Sequence, residues 1–512
     1  MISRRLFLAG TGALAASPAF AQGGPTVSTS LGPIRGRKEG GLSVFRGIRY
    51  GVAERFRAPK PPIRSRETIA ATAFGPSAPQ RGGRYRDASE DCLFLNIWTP
   101  EARPGGKRPV MVYFHGGAYS TGSVADPLND GRHLAAEGDV VTVTVNHRLN
   151  AFGYLYLARL DPRFPDSGNA GQLDLILALR WIRANIAAFG GDPARILVFG
   201  QSGGGAKIAT LMGMPAAEGL FHRAITMSGQ QVTASGPINA TARARAYVEA
   251  LKLKSADELL ALPAERLVEG LAATDPILGG GLYMGPVLDM KWLTRHPFWP
   301  DSNPQSNAIP MILGNTRDET RAFIDPDGEK VRTLSWANLA ERIAPELRTD
   351  IHPEWLVSQY RRRFPDWTAE RIFYAATTAG RSWPGQVIEA DARASAGAPT
   401  WVYQVDFQSP TQPRRGAPHT MDIALAFGTL EAEGSYTGTG AEARALSRTM
   451  MKAFAAFARS GDPNAPGVPA WPRYKPPGRS TMVWDRGSAA VADPRRWERE
   501  LFARVPYIQP GT

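Results

Sequence analysis

Apolar residues along the chain fall into short, dense runs separated by polar and glycine-rich connections. Pro109-Val110-Met111-Val112-Tyr113-Phe114 is apolar almost throughout, the pattern of a strand covered on both faces. Similar runs at Leu93 to Thr99, Val140 to Val145, Ile196 to Phe199, Ala224 to Met227, Pro310 to Gly314, Thr400 to Phe407 and Thr481 to Trp484 predict further strands. Between them the period changes. Leu175, Leu179, Ile182, Ile186 and Phe189 recur at helical spacing, as do Leu446, Met450, Phe454 and Phe457 within 441–458, so each segment presents one apolar face. A helix is also expected over 208–214. Residues 26–50 alternate loosely and suggest short antiparallel strands, whereas 56–90, rich in proline, arginine and glycine, read as irregular surface chain. Residues 333–395 look mainly helical, an insertion over the active edge of a sheet. Strand, crossover helix, strand and helix in succession imply an α/β fold, a mostly parallel twisted sheet with helices on both faces. No repeat or clean linker divides 22–512, which is read as one domain.

The N-terminus does not belong to that pattern. Arg4-Arg5, a mild apolar stretch and Ala19-Phe20-Ala21 give a basic region, a short hydrophobic region and a cleavage site. Residues 1–21 are therefore expected to be an export signal of the twin-arginine type, leaving a periplasmic or secreted protein. The segment is too short and glycine-rich for a membrane span. The single cysteine, Cys92, lies in the apolar run Cys92-Leu93-Phe94-Leu95 and is expected to be a buried structural thiol; one cysteine allows no internal disulfide. Net charge is +13, from 60 Lys+Arg against 47 Asp+Glu, but the basic residues are scattered and carry no nucleic-acid fingerprint, so a solvated basic surface is expected.

Chemistry concentrates at strand ends. Gly200-Gln201-Ser202-Gly203-Gly204 follows the run Ile196 to Phe199 and has the G-x-S-x-G form of a nucleophile elbow, a turn tight enough to exclude side chains two residues either side of the serine. A serine nucleophile needs a base, an acid to orient the base, and amide donors for an oxyanion. His419, in a loop after a strand and late in the chain, is the candidate base. His147 is read as structural, and His133, His222, His296 and His352 as surface or capping residues. Asp318 and Glu319 follow another strand, and either fits the acid. Gly116 and Gly117 after the central strand, with Gly203 after the serine, can supply oxyanion amides. No cysteine cluster or His-Glu-x-x-His helix suggests a metal, and no cofactor is expected.

The chain resembles the type-B carboxylesterase family of the α/β-hydrolase fold, including bacterial para-nitrobenzyl esterase-like enzymes. The matching stretches are Ser89-Glu90-Asp91-Cys92-Leu93-Phe94-Leu95-Asn96-Ile97-Trp98, Phe114-His115-Gly116-Gly117, Asn146-His147-Arg148-Leu149, Gly168-Asn169-Ala170-Gly171, Gly190-Gly191-Asp192-Pro193 with the elbow, Gly461-Asp462-Pro463-Asn464, and Trp471-Pro472. The resemblance implies Glu319 as the acid, His419 as the base and Ser228 as a serine supporting the triad. It implies a carboxylic-ester hydrolase working through an acyl-enzyme on small to medium, uncharged or weakly polar esters, as a monomer or weak homodimer. An amide- or lactam-cleaving enzyme with the same triad, or a non-catalytic binding protein on the same fold, are the alternatives. Gln201 stands where the family often has glutamate, Gly203 where alanine is common, and the tryptophan that cholinesterases use for a quaternary ammonium is absent; these departures argue against cationic choline esters. Walls of the substrate site are expected from 230–300 and 333–395.

Overall fold

The computed structural model describes residues 24–85 and 87–511; the expected export signal, 1–21, lies outside them. Fourteen strands are present among these residues: β1 (Thr26–Thr29), β2 (Gly32–Arg35), β3 (Arg37–Glu39), β4 (Leu42–Arg49), β5 (Ile69–Ala70), β6 (Phe94–Thr99), β7 (Arg108–Phe114), β8 (Val141–Val145), β9 (Gly191–Gln201), β10 (Arg223–Met227), β11 (Met311–Thr316), β12 (Thr400–Val405), β13 (Ser480–Trp484) and β14 (Ala489–Ala492). Strands β1, β2 and β5 form a small sheet, and the other eleven form one large sheet in the order β14-β13-β12-β11-β10-β9-β7-β8-β6-β4-β3. From β13 to β8 every pairing is parallel; the two flanks are antiparallel.

Alternation along the central strands sends side chains to two layers. Val110, Val112 and Phe114 of β7, with Ile196 and Val198 of β9, pack against Leu175, Leu179 and Ile182 of the helix Ala170–Asn185. Met111 and Tyr113, with Leu197 and Phe199, pack on the other face against the helices Met421–Phe427 and Ala441–Ser460. The predicted faces of both long helices are therefore the buried ones, and Cys92 is fully buried in the first layer.

Between β11 and β12 the chain forms the helices Glu329–Arg332, Leu339–Ile343, Pro353–Arg363, Ala369–Ala379 and Trp383–Ser395. Much of this block closes over a core of its own, with Leu339, Leu356, Tyr360 and Phe373 at its centre. The sequence pattern misplaces the helix after the serine, which runs Gly203–Leu211 rather than over 208–214. It also misses β14 and the helix Arg496–Phe502.

The chain reverses direction across the sheet at β7, with β8 on one side and β9 on the other. Such a switch leaves a crevice at the carboxyl ends of the strands, where ligands bind in open α/β sheets. The start of the crossover is fixed by a buried ion pair: Arg148, just after β8, donates to Asp174 in the helix Ala170–Asn185 (Nη2 to Oδ1, 2.6 Å) and to the carbonyl oxygens of Arg57 (2.8 Å) and Glu54 (3.2 Å). Removing one partner of such a pair strands the other charge in a low dielectric. Asp174→Asn is thus expected to cost about 3–5 kcal/mol of stability, read as a lowered denaturation midpoint; an unchanged midpoint refutes this.

Candidate active site

Ser202 closes β9 with φ 55° and ψ −124°, a sparsely populated conformation costing on the order of 1–3 kcal/mol. Its surroundings leave no alternative. A Cβ on Gly200 would lie 2.6 Å from the carbonyl carbon of Gly204 and 2.8 Å from the carbonyl oxygen of Phe114, and one on Gly204 would overlap the latter outright. The steric rule drawn from the motif therefore operates here. Gly203 is under the same constraint, since a Cβ there would overlap the backbone of Ala118. Alanine, common in the family at this position, does not fit this arrangement of the loop.

That loop, His115 to Ala118, follows β7 and carries Gly116 and Gly117. Gly117 (φ 85°) and Ala118 (φ 54°) are left-handed, and the Gly117 carbonyl accepts from the amide of Thr121 (2.9 Å). Gly116 lies beside the elbow: a Cβ on it would be 3.0 Å from the Gln201 carbonyl oxygen and 3.4 Å from Ser202 Cβ. The amide of Gly203 opens the helix Gly203–Leu211, where the dipole favours an anion.

Glu319 and His419, one hundred residues apart in sequence, meet through a short hydrogen bond between Oε2 and Nδ1. Glu319 is buried and held from other directions as well. Its Oε1 accepts from Ser228 Oγ (2.6 Å), the Thr316 amide (2.7 Å) and Asn315 Nδ2 (3.3 Å). Burial pushes its pKa up, but the charge of His419 and the hydrogen bonds from His419, Ser228 and Thr316 outweigh burial and hold it below the ordinary carboxylate value. Asp318 turns elsewhere: its Oδ2 accepts from the Ala417 amide (3.0 Å), and its own amide donates to the Ala417 carbonyl, so it ties down the loop leading to His419.

In the tautomer whose Nδ1 proton is accepted by Glu319, Nε2 of His419 is an acceptor. It takes a hydrogen bond from Gln201 Nε2 (3.1 Å), and among the described residues Ser202 Oγ has no hydrogen-bond partner. The imidazole is flanked by Phe323 (centroids 4.9 Å apart), whose outer face carries Arg381 at 4.7 Å. Three residues past His419, buried Asp422 accepts from Tyr403 Oη (2.8 Å), and burial raises its pKa to about 6.

Gln201, Phe323 and Asp422 thus surround the base. The sequence reading assigned none of them to it, although Gln201 stood in the elbow motif. His147 is fully buried, its ring tilted 36° against that of His115 (centroids 4.6 Å apart). His222 and His296 accept backbone amides, and His352 caps the helix Pro353–Arg363.

A cavity of about 370 Å³ opens against Gly116, Gly117 and Gln201. Its walls include Gln80, Arg81, Arg84, Tyr85, Asp126 and Tyr436. Its lining includes neither Ser202 nor His419, and no residue from 230–300 or 333–395. The 56–90 stretch read as surface chain supplies one wall, held by Ser77 donating to Ser123 Oγ (2.7 Å) and Gln80 donating to the Gly122 carbonyl (3.0 Å). Among the described residues no group of three or more His, Cys, Asp or Glu is placed to hold a metal ion.

The sheet order, strained serine and strand-end loops define the α/β-hydrolase fold. The chain belongs to the carboxylesterase family, whose model matches residues 23–496, and it is a serine carboxylesterase that hydrolyses carboxylic esters. It is 34% identical over 506 residues to the para-nitrobenzyl esterase of Bacillus subtilis (strain 168), covering 93% of this chain and 97% of that protein. It is 33% identical over 501 residues to the phenmedipham hydrolase of Pseudarthrobacter oxydans, with 91% and 96% covered. Among solved structures it is similar to Geobacillus stearothermophilus carboxylesterase EST55, with a TM-score of 0.83 at 35% identity over 93% of this chain and 99% of that one.

The adjacent acids differ enough in partners to be told apart by kinetics. Glu319→Gln is expected to lower kcat roughly 10³–10⁴-fold, as loss of a triad carboxylate does. Asp318→Asn should cost less than about tenfold, the equivalent of one hydrogen bond. A larger loss from the second variant would reverse the assignment.

Proposed function

We propose that ester hydrolysis runs through Ser202, His419 and Glu319 as a catalytic triad, with an acyl-enzyme intermediate. Ser202 Oγ attacks the ester carbonyl carbon while its proton passes to His419 Nε2, once the Gln201 amide has yielded that nitrogen. Glu319 keeps the Nδ1 proton in place and stabilises the imidazolium. The tetrahedral oxyanion takes hydrogen bonds from the amides of Gly116, Gly117 and Gly203. His419 then protonates the departing alcohol, and water releases the acid by the same two steps. The observation that carries this reading is the Glu319–His419 hydrogen bond, with the elbow residue Gln201 on the opposite nitrogen of the same ring.

For substrate, we propose small to medium esters that are uncharged or weakly polar. The cavity beside Gly116 is lined largely by polar side chains. Of its three tyrosines, Tyr85 is faced by Arg84 (5.8 Å) and Tyr436 by Arg415 (5.9 Å), while Tyr113 packs edge-on against Phe427 (4.8 Å). At Tyr85 and Tyr436 a quaternary ammonium would find the ring already approached by a guanidinium.

Purified protein should hydrolyse short-chain nitrophenyl esters, and Ser202→Ala should lose about 10⁵–10⁶-fold of kcat with an unchanged circular dichroism spectrum. In the same panel a neutral ester should be turned over faster than a choline ester of equal acyl length. Undiminished turnover in the variant defeats the mechanism, and preference for the choline ester defeats the substrate class.

We further propose that residues 1–21 direct export, on the strength of Arg4-Arg5 and Ala19-Phe20-Ala21. N-terminal sequencing of protein recovered outside the cytoplasm should begin near Gln22; recovery only from the cytosol with residue 1 intact contradicts it.

A further inference from the structure

Lys207 lies on the helix Gly203–Leu211, in a segment otherwise made of glycine, alanine, threonine and aliphatic residues, and its side chain is completely buried. Burying an ammonium is costly unless it is paired, yet no carboxylate among the described residues forms an ion pair with it. Its Nζ donates instead to two backbone carbonyls, those of Ala118 (2.7 Å) and His115 (3.2 Å), and sits 5.4 Å from the ring centre of Tyr119. Those carbonyls bracket Gly116-Gly117. In a trans peptide the C=O and N–H point in opposite directions. The His115 carbonyl, turned toward Lys207, therefore turns the Gly116 N–H away from the ammonium, and Gly116 is the residue that lies against Ser202.

We propose that Lys207 is a positioning residue for the oxyanion hole: its buried ammonium pins the His115–Ala118 loop to the nucleophile helix and polarises the His115–Gly116 peptide, making the Gly116 N–H a stronger donor to the developing oxyanion. The inference rests on the role given above to Ser202 and Gly116. A hydrogen bond to a peptide oxygen strengthens the donor on the same peptide, and the effect is largest in a low dielectric. No acid dilutes the charge. The titratable groups facing it are the imidazoles of His115 and His147 and the phenol of Tyr119. Burial first, then the ammonium itself, holds both imidazoles neutral, His115 down to about 3. Burial drives the Tyr119 phenol up, and it donates to Gln231 (2.8 Å). Burial alone pulls Lys207 down to about 7. Above that pH the neutral amine keeps N–H donors for the loop but loses the charge that polarises the peptide, which separates polarisation from mere pinning.

The test is a pH series of kcat and KM on a nitrophenyl ester for the wild type and Lys207→Met, with reactive serine counted by a fluorophosphonate. The variant is expected to lose about 10- to 100-fold in kcat, near or below the loss of one oxyanion donor, with KM within about twofold. The wild type should lose kcat as the pH rises from about 7 to about 9, the range over which Lys207 loses its proton; the variant should lack that limb. A variant with wild-type kcat, or one impaired but with the same alkaline limb, overturns the proposal. Should Lys207→Met not fold, the wild-type profile decides: a kcat that is flat or rising over this range overturns it. Labelled wild-type protein with either contrary result leaves the esterase mechanism standing, whereas wild-type protein that neither turns over esters nor reacts with the fluorophosphonate brings down both.

Discussion

The end of β7 crosses the first turn of the helix Gly203–Leu211 with backbone against backbone, and the site is arranged around that crossing. Phe114 and Ala118 occupy the space that side chains at positions 200, 203 and 204 would need. Glycine at the start of a helix is costly, about 1 kcal/mol per residue relative to alanine, and here three stand in succession before Ala206. The crossing is held because β7 and β9 are neighbouring strands buried on both faces. Their register fixes Phe114 opposite Gly200, and the two loops leaving those strands have little choice but to meet. Serine strain, the approach of Gly116 to Ser202 and the crevice at the switch point are thus consequences of one steric contact.

Electrostatics then follows burial. Within a short distance of the elbow the protein encloses Glu319, Asp422, Lys207 and the imidazoles of His115, His147 and His419, and it treats each differently. Glu319 remains a carboxylate because several donors converge on it. Asp422 has one strong donor and a raised pKa. His115 and His147 are kept neutral, which prevents two further cations from accumulating beside Lys207. Negative charge is therefore concentrated on the Nδ1 side of His419 and positive charge behind the oxyanion loop. That is the polarity a reaction needs when it creates an imidazolium and an oxyanion together.

Much of this was legible in the chain because strands buried on both faces leave an unambiguous apolar run, and because ligand-binding ends of parallel strands carry short polar motifs. Ser202, His419 and the glycines at 116 and 117 stand out as candidates that way. The choice between Asp318 and Glu319 does not follow from strand ends: adjacent residues point in different directions, and it took the family resemblance to favour Glu319, while the fold shows that one meets Ala417 and the other His419. The helix at Gly203–Leu211 was misplaced because glycine propensity argues against a helix that packing imposes. The 56–90 stretch is largely irregular and exposed, as read. Its composition is that of a surface, but hydrogen bonds from Ser77 and Gln80 to residues over forty positions away draw it into a cavity wall. Lys207 gave a faint signal, a lone cation in an apolar helix, and its meaning depends on which carbonyls it reaches.

The exchange of charge for an amide at Gln201 follows from the same hydrogen-bond accounting. With the Nδ1 proton committed to Glu319, the lone pair on Nε2 can be satisfied only by a donor. A carboxylate at 201 could not serve neutral His419; an amide N–H can, and so can the serine hydroxyl. Gln201 and Ser202 are consecutive residues with one acceptor between them. The amide holds the ring in its proton-accepting tautomer, aligned beneath the crevice, at the strength of an ordinary hydrogen bond, about 1 kcal/mol net. An exchange that small is readily driven by substrate binding and adds little to the barrier, since one kcal/mol is less than a tenfold change in rate. In the proposed mechanism, once the proton has moved, the Nε2–H no longer accepts from the amide, and the imidazolium depends on Glu319 and on the ester oxygen it is about to protonate.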